Sequence, residues 1–167
     1  MSGRGATGDR RETSPVRAPW IEILSADPEP AARSRAASEL GMIGGEPAIA
    51  ALVQALRDPS KEVRASAAAA LGAIGMPAIG ALLAALADGN WVVRYRAAEA
   101  IGSVRDPRSV AALIRALADE KDHVRYMAAR GLGRLRAGDA SGPLRAALAD
   151  GNPFVRRAVR DALAALE

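Results

Sequence analysis

Residues 88–104 read DGNWVVRYRAAEAIGSV, and this stretch decides the fold because its pattern recurs along the chain. An aspartate opens it, a valine–arginine pair follows at the fifth and sixth residues beyond, and a glycine lies nine residues after the valine. The frame returns at 27–43, 58–74, 119–135 and 150–166, with alanine for valine in the first copy and no glycine in the last. The aspartates lie 31, 30, 31 and 31 residues apart, which predicts an array of stacked repeats.

Each copy contains a helical pattern, helix B, that begins at the valine–arginine pair. Counted from the valine, apolar residues recur at +4, +8 and +11, as in Ala97, Ile101 and Val104, which is one stripe of an α-helix. A glycine inside a helix costs about 1 kcal/mol relative to alanine. Its repetition at +9 therefore predicts a close approach between neighbouring helices, where a Cβ would collide. The four glycines are Gly41, Gly72, Gly102 and Gly133.

A second pattern, helix A, precedes each aspartate. Ile79, Leu82, Leu83 and Leu86 follow the i, i+3, i+4, i+7 spacing of one helix face, and a proline stands two residues earlier, where a first helical turn tolerates it. The A–B turns carry Asp with Pro, Gly or Asn, which are turn and capping residues. Neither helix can bury its face alone, so the pairs must stack. We expect an all-α fold, an α-solenoid (right-handed superhelix) of about five helical-pair repeats.

The repeat pattern divides the chain into two parts. Residues 1–18 are rich in Gly, Ser and Arg and have no apolar face, so we expect a disordered basic tail. Residues 19–167 form the repeat domain. Its repeats run approximately over 19–46, 47–76, 77–106, 107–137 and 138–167. In the last copy Arg145 and Arg160 replace residues that are apolar in earlier copies, and we expect the array to end there.

Composition excludes several classes of function. The 167 residues include no cysteine and one histidine, so disulfides and thiol catalysis are excluded and a metal cluster is disfavoured. No apolar run approaches the ~20 residues of a membrane span, and the N-terminus lacks a secretory apolar segment. We expect a cytoplasmic protein with no membrane contact, no cofactor and no metal. The net charge of +4 falls to +2 without residues 1–18, which gives little support to a nucleic-acid partner.

The copies carry a family resemblance. An aspartate, then Val-Arg-x-x-Ala-Ala-x-x-Leu/Ile-Gly, in units of about 30 residues, resembles HEAT repeats, specifically the short subtype named after phycobilisome (PBS) lyases. The resemblance spans 19–167. It implies a solenoid whose B helices line the concave surface, and a family that includes scaffolds, assembly factors and chromophore-lyase subunits. Longer HEAT units of ~40–47 residues often bend helix A with an internal proline, whereas here the proline stands at the helix start.

The repeated aspartates and arginines allow two interpretations. They could form a row of arginines for phosphate, or a structural ladder in which each guanidinium is held by turn aspartates of its own or adjacent repeats. Strict repetition favours the ladder, because binding residues usually differ between repeats, and the resemblance implies the same. The ladder residues are Asp58, Arg64, Asp88, Arg94, Asp119, Arg125, Asp150 and Arg156.

The residues that vary between copies on the outer positions of helix B are the candidate binding residues. Tyr, Trp, Met and Arg are the types enriched in protein interfaces. Alternatively, Trp91 packs between turns and the tyrosine rings cover alanine-rich helices. The predicted partner-binding residues are Trp91, Tyr95, Arg96, Glu99, Tyr126, Met127, Arg130, Arg134 and Arg157.

These patterns favour a protein–protein interaction scaffold or adaptor that binds another protein through its concave surface, with a monomer favoured. No catalytic residues are predicted, because His123 lies in a turn, where a solvated or packing role is the default, and the nearby acids are turn residues, so we expect no autonomous enzyme. The resemblance allows an alternative, a phycobilin-lyase-like subunit or a chaperone for a tetrapyrrole-bearing protein. A third candidate is nucleic-acid binding through arginines on helix B, namely Arg35, Arg96, Arg130, Arg134 and Arg157.

Overall fold

The structure, a computed structural model, describes residues 17–167. This part of the chain forms ten α-helices and contains no strand. The helices are α1 (Arg17–Ala26), α2 (Pro30–Ile43), α3 (Glu46–Ala55), α4 (Lys61–Ile74), α5 (Ile79–Ala85), α6 (Trp91–Val104), α7 (Val110–Ala116), α8 (Asp122–Leu135), α9 (Ser141–Ala146) and α10 (Pro153–Ala164). No single described helix meets the length and hydropathy of a membrane span; α4 with the segment Met76–Ala85, bent by 114°, does so as a pair, by length and composition only.

The helices alternate between two layers, and the all-α solenoid predicted from the sequence is confirmed. The odd-numbered helices are the A helices and the even-numbered ones are the B helices. Each B helix packs on the B helix of the next repeat, more extensively than consecutive A helices pack on each other. This more extensively packed layer is the one whose outer face the resemblance of the repeats implies to be concave.

The first helix begins slightly earlier than the predicted domain start. Helix α1 starts at Arg17, two residues before the predicted limit. It buries Leu24 against the core, and the Arg35 guanidinium of α2 lies 5.9 Å from the Trp20 ring centre. The remainder of the predicted tail, 1–16, lies outside the described residues. The predicted repeat limits stay a prediction.

The core follows the predicted stripes. In α6 the side chains of Val93, Ala97 and Ile101 are buried, while Val104 at +11 is only partly covered. Each of the second to fifth A helices contributes one fully buried leucine, namely Leu52, Leu82, Leu113 and Leu144. Position +5 of helix B is a buried alanine in the first four copies and the exposed Arg160 in the last. Apolar burial is therefore distributed evenly along the array, between neighbouring repeats.

The repeated glycines lie where consecutive B helices touch, as the sequence predicted. A Cβ added to Gly41 would stand 2.8 Å from the Ala70 Cβ, and one added to Gly133 would stand 2.9 Å from the Ala162 Cα. At Gly102 the nearest atom, 3.2 Å away, is the Cα of another glycine, Gly131. Backbone meets backbone at these points, so the glycines set the spacing between repeats.

The ladder arginines connect the turn of one repeat to the turn of the next. Arg94 donates from Nε and Nη2 to both carboxylate oxygens of Asp119, at 2.7 and 2.9 Å, and from Nη1 to the backbone carbonyls of Asp88 and Gly89. The carboxylate contact is thus made between copies, and the contact within a copy goes to backbone. Two further pairs share this geometry, Arg33 with Asp58 and Arg125 with Asp150.

The ladder is interrupted after the second copy. Arg64 donates to the carbonyls of Asp58 and Pro59, but its buried Nε has no hydrogen-bond partner among the described residues. The aspartate of the following turn, Asp88, pairs instead with Arg57, which follows α3. In the last copy Arg156 donates to carbonyls only. The ladder residues therefore do not all make the same contacts.

The guanidinium contacts favour the charged form of the aspartates that receive them. The hydrogen bond from Arg33 is the main cause that lowers the pKa of Asp58 below its usual value. Burial of Asp119 acts most strongly and raises its pKa, but the contacts with Arg94 and a backbone N–H together outweigh it and the pKa is lowered. The pKa of Asp150 is also lowered, mainly by its arginine.

The glycine contacts predict an inverted response to alanine substitution. Alanine usually stabilises a helix relative to glycine, and Gly80→Ala in α5, where a Cβ would meet nothing within 4 Å, should raise the free energy of unfolding by ~0.5–1 kcal/mol. Gly133→Ala should lower it by about 1–3 kcal/mol, because the new methyl group overlaps the α10 backbone. Urea unfolding of both variants measures these changes. If both substitutions stabilise the protein, the close contact between Gly133 and α10 is wrong.

The ladder predicts unequal costs for two matched substitutions. Arg94→Ala removes both charge-assisted bonds from Asp119, whose side chain is only 11% exposed, and should lower the free energy of unfolding by about 1–3 kcal/mol. Arg64→Ala removes bonds to carbonyls only and should cost less. Thermal and urea unfolding measure the difference. An unchanged melting temperature of the Arg94 variant, with loss of ligand binding, would show that the ladder serves binding.

Stability should fall in acid. The pKa values of Asp58, Asp119 and Asp150 are lower in the folded chain than in the unfolded chain, so the unfolded chain binds more protons as the pH drops. The stabilisation is present above the unfolded pKa of ~3.9 and is lost as the pH falls through the folded values. Urea unfolding between neutral pH and acid should show this loss, with a shallower slope in Arg94→Ala. Stability that rises on acidification would contradict the ion pairs.

Candidate functional site

The predicted binding residues lie on the last three B helices. Trp91 is the first residue of α6, Tyr95 stands one turn later, Tyr126 lies in α8 and Arg157 in α10. The three aromatic side chains are partly buried and pack against the core. Tyr95 and Tyr126 occupy the same position, +2, in consecutive B helices, as the sequence places them.

His123 joins these rings although the sequence assigned it no part in the site. Its ring centre lies 5.2 Å from that of Trp91 and 6.3 Å from that of Tyr95, in an edge-on arrangement with the tyrosine. The histidine side chain remains 64% exposed. It therefore extends the aromatic surface of α6 onto α8.

A groove of 360 Å³ opens beside this cluster. Phe154, at the start of α10, closes its far side and is 70% exposed, which is unusual for a large apolar ring. We call this the aromatic groove. Its lining residues are Tyr95, Asp122, His123, Tyr126, Asn152, Phe154 and Val155.

A polar network beside the groove links the first turns of α8 and α10. Asn152 caps α10 by accepting a hydrogen bond from the Phe154 N–H at 2.8 Å, and its amide donates to Asp122 of the preceding repeat. Asp122 in turn accepts from the His123 backbone and contacts the ring Nδ1 at 2.8 Å. The contact with Asn152 is the main cause that lowers the pKa of Asp122, with His123 adding to it. The ionised carboxylate thus contacts the His123 ring directly and the first turn of α10 through Asn152.

Arg96 and Glu99 are less available than the predicted binding surface requires. Arg96 donates to Glu99 at 2.7 Å, lies 5.1 Å from the Tyr95 ring centre and is only 16% exposed. Its buried Nε has no hydrogen-bond partner in the described residues. These two charges neutralise each other, so the aromatic groove has little net charge on its α6 side.

Met127 does not line the concave surface, which corrects the prediction. Its side chain is 4% exposed and belongs to the core, as does Ala158 at the same position, +3, of α10. Helices α8 and α10 pack against each other, and α8 also packs on α6. Position +3 of these two helices therefore faces the core.

The remaining predicted residues meet in a second, larger groove. Arg130, whose guanidinium lies 5.6 Å from the Tyr126 ring centre, Arg134 and Arg157 are exposed and line a groove of 790 Å³. Arg105 and Arg136, which follow the carboxyl ends of α6 and α8, line it as well. We call this the arginine groove. Tyr126 and Phe154 line both grooves, so the two are continuous.

Some of the missed residues had a signal in the sequence. His123 and Phe154 each precede the valine of a valine–arginine pair, the same position as Val92, and all differ between copies. Arg105 and Arg136 stand after helices α6 and α8, where Gly44 and Gly75 follow α2 and α4. A comparison between copies of the residue before the valine and of the residue after helix B would have added these four residues to the predicted site.

The site offers contact surface rather than assembled chemistry. The described residues hold no group of three or more His, Asp or Glu side chains placed to bind a metal ion. The hydrogen bonds of the Asp122–His123 pair include Asn152 and no hydroxyl among the described residues. The rings can cover an apolar group, and the free guanidiniums can bind anions.

Three solved structures share the fold at low sequence identity. The complex of CpcE and CpcF of phycocyanin lyase from Nostoc sp. PCC7120 matches with a TM-score of 0.67 and 22% identity, over 99% of this chain and 70% of that chain. A designed armadillo repeat protein in complex with the peptide (KR)4 matches with a TM-score of 0.55 and 19% identity, over 90% and 81%. Human deoxyhypusine hydroxylase in complex with glycerol matches with a TM-score of 0.55 and 20% identity, over 92% and 74%. These likenesses show the fold. No curated protein sequence matches significantly.

The family assignment rests on the sequence itself. A family model described as HEAT repeats matches residues 17–87 and 79–164, which together span nearly all of the described chain. The helical pairs, their stacking and the solved structures agree with that match. The chain belongs to the HEAT repeat family.

Proposed function

We propose that the protein is a scaffold or adaptor that binds a partner protein through the aromatic groove. One observation carries the proposal: Tyr95, Tyr126 and Phe154, from three consecutive repeats, line one groove, and Phe154 exposes 70% of its surface there. Large exposed rings in a concave surface are typical of protein-binding sites, where a partner removes them from water.

The packing of most of the groove's rings supports this proposal. Tyr95 and Tyr126 are partly buried against the core, and the His123 ring contacts the Asp122 carboxylate. Rings that are already fixed lose little conformational entropy when a partner binds. The concave surface of a solenoid is also long enough for an extended segment. The designed armadillo repeat protein of similar fold is in complex with a peptide.

The lyase-subunit alternative draws on the structural likeness to the complex of CpcE and CpcF. It predicts that the purified chain changes the visible absorbance of an added bilin. The cysteine-free chain offers no thiol for covalent attachment, so any such role would be to hold the tetrapyrrole-bearing protein. The cytoplasmic location and the lack of autonomous catalysis remain part of the proposal.

Phe154→Ala is the sharpest test of the aromatic groove. The ring is mostly exposed, so its removal should change the free energy of unfolding by less than about 0.5 kcal/mol. It should weaken the affinity for the partner protein about tenfold or more. The double change Tyr95→Ala with Tyr126→Ala is less informative, because both rings pack against the core and stability should fall by roughly 1–3 kcal/mol for each. Affinity purification with quantitative mass spectrometry measures how much of the partner protein each variant retains.

Met42→Ala is the matched control, since Met42 is 75% exposed and lies on α2, away from the groove. A photoreactive phenylalanine analogue at position 154 should cross-link to the same partner, and the analogue at position 42 should not. If Phe154→Ala folds and retains every partner of the unmodified protein, the proposal is wrong.

A further inference from the structure

The arginine groove concentrates unpaired positive charge. Five arginines line it, and Asp161 is the acidic residue among them. In the described part of the chain, none of the five forms an ion pair, and the single side-chain hydrogen bond that they donate runs from Arg130 to the Met127 sulfur at 4.0 Å. The five are Arg105, Arg130, Arg134, Arg136 and Arg157.

These guanidiniums differ from those elsewhere in the molecule. The ladder arginine Arg94 directs its donors to a carboxylate and two carbonyls, and Arg96 is paired with Glu99. The donors in the arginine groove face solvent instead. A planar guanidinium with free donors binds carboxylates through two parallel hydrogen bonds.

Two of the five arginines are kept at a conformational cost. Arg105 and Arg136 have φ values of 56° and 48°, in the left-handed region that favours glycine. The equivalent residues after α2 and α4 are Gly44 and Gly75, with φ values of 66° and 78°. Where glycine would be relaxed, the third and fourth copies have arginine, and both arginines line the groove.

The position of the groove explains how the arginines can gather without carboxylates. The residues that end α6, α8 and α10 all line it, so the carboxyl ends of three helices meet there. The partial negative charge of a helix carboxyl end attracts cations. It offsets part of the repulsion among the guanidiniums and leaves their outward donors free.

We propose that the arginine groove binds an acidic segment, a run of Asp and Glu residues, of the same partner protein whose apolar residue occupies the aromatic groove. This inference rests on the proposed function. Tyr126 and Phe154 line both grooves, so a segment with an apolar residue followed by acidic residues would fill them together. The charge of the groove is complementary to such a segment.

The distribution of charge favours an acidic protein segment over a nucleic acid. A nucleic-acid strand follows a continuous basic track, with one phosphate at every nucleotide. The positively charged groove is confined to the last B helices. The groove arginines stand at positions +2, +6, +10 and +12. On α2 and α4 these positions carry no charge; they are occupied by Ser34, Ser38, Met42, Gly44, Ala65, Ala69, Ala73 and Gly75. Arg35 of α2 stands at +3, and its guanidinium lies 5.9 Å from the Trp20 ring centre.

The test measures binding of fluorescein-labelled peptides to the full chain by fluorescence anisotropy. The probe is a phenylalanine followed by a run of glutamates; a peptide with lysines for the glutamates and a single-stranded oligothymidylate are the comparisons. The acidic peptide should bind and the lysine peptide should not. Added salt should weaken the binding of the acidic peptide, because salt screens exposed charges.

The double change Arg134→Gln with Arg157→Gln should weaken the affinity for the acidic peptide by about tenfold or more. Glutamine keeps the helix propensity of arginine and removes its charge. Arg115→Gln with Arg145→Gln, two exposed arginines on A helices, changes the net charge equally and should leave affinity within about twofold. Circular dichroism checks that both variants fold. Equal weakening by the two pairs, or tighter binding of the oligothymidylate with displacement of the peptide, would overturn the inference.

The proposals for the two grooves can be contradicted separately. If Phe154→Ala loses the captured partner while Arg134→Gln with Arg157→Gln retains it at full affinity, the acidic-segment inference is wrong and the scaffold proposal stands. If the charge variant loses the acidic peptide and the partner, the inference holds. If Phe154→Ala retains every partner, the aromatic groove is not the docking site, whatever the peptide shows.

Discussion

The rest of the structure depends on one contact, the approach of consecutive B helices with no room for a Cβ between them. Gly41 against Ala70 and Gly133 against Ala162 bring backbone to backbone, a spacing that a larger side chain would forbid. The B helices also pack on one another more extensively than the A helices do, and their outer face is the one that the HEAT repeat fold makes concave. The short repeat spacing also lets Arg33, Arg94 and Arg125 reach the carboxylate of the next turn.

The junction between α4 and α6 departs from this pattern in three ways. These B helices pack less extensively than the other consecutive pairs, the Gly72 contact is with a serine side chain, and the ladder ion pair is replaced by that of Arg57 and Asp88. The Arg57 side chain is 50% exposed, and exposed ion pairs contribute little. Since a solenoid's stability is approximately a sum over neighbouring repeats, we expect this junction to contribute less than the others. Both grooves lie on its carboxyl-terminal side.

The residues that repeat in every copy and the residues that differ between copies have different roles. The repeated ones hold the turns and set the spacing, and their hydrogen-bonding capacity is used inside the array. The unique ones gather on the concave face of the last three B helices, where an apolar surface and unpaired guanidiniums adjoin. A partner with matching apolar and acidic residues would therefore find both surfaces already in place. The fold alone does not specify such a partner, because HEAT-like solenoids of similar shape differ in the residues they expose.

The helical pairs, their period, the buried stripes and the close approach at the glycines could be predicted from the amino-acid sequence, because they follow from periodicity and from the size of a single residue. The sequence also pointed to Tyr95 and Tyr126, which differ between copies. Packing in three dimensions was needed to show that Met127 is core, that His123 and Phe154 line one groove with the tyrosines, and that arginines from two helix ends share a groove with those of α8 and α10. Burial and side-chain neighbours depend on how adjacent repeats rotate and pack, and a period read along one chain does not contain that angle.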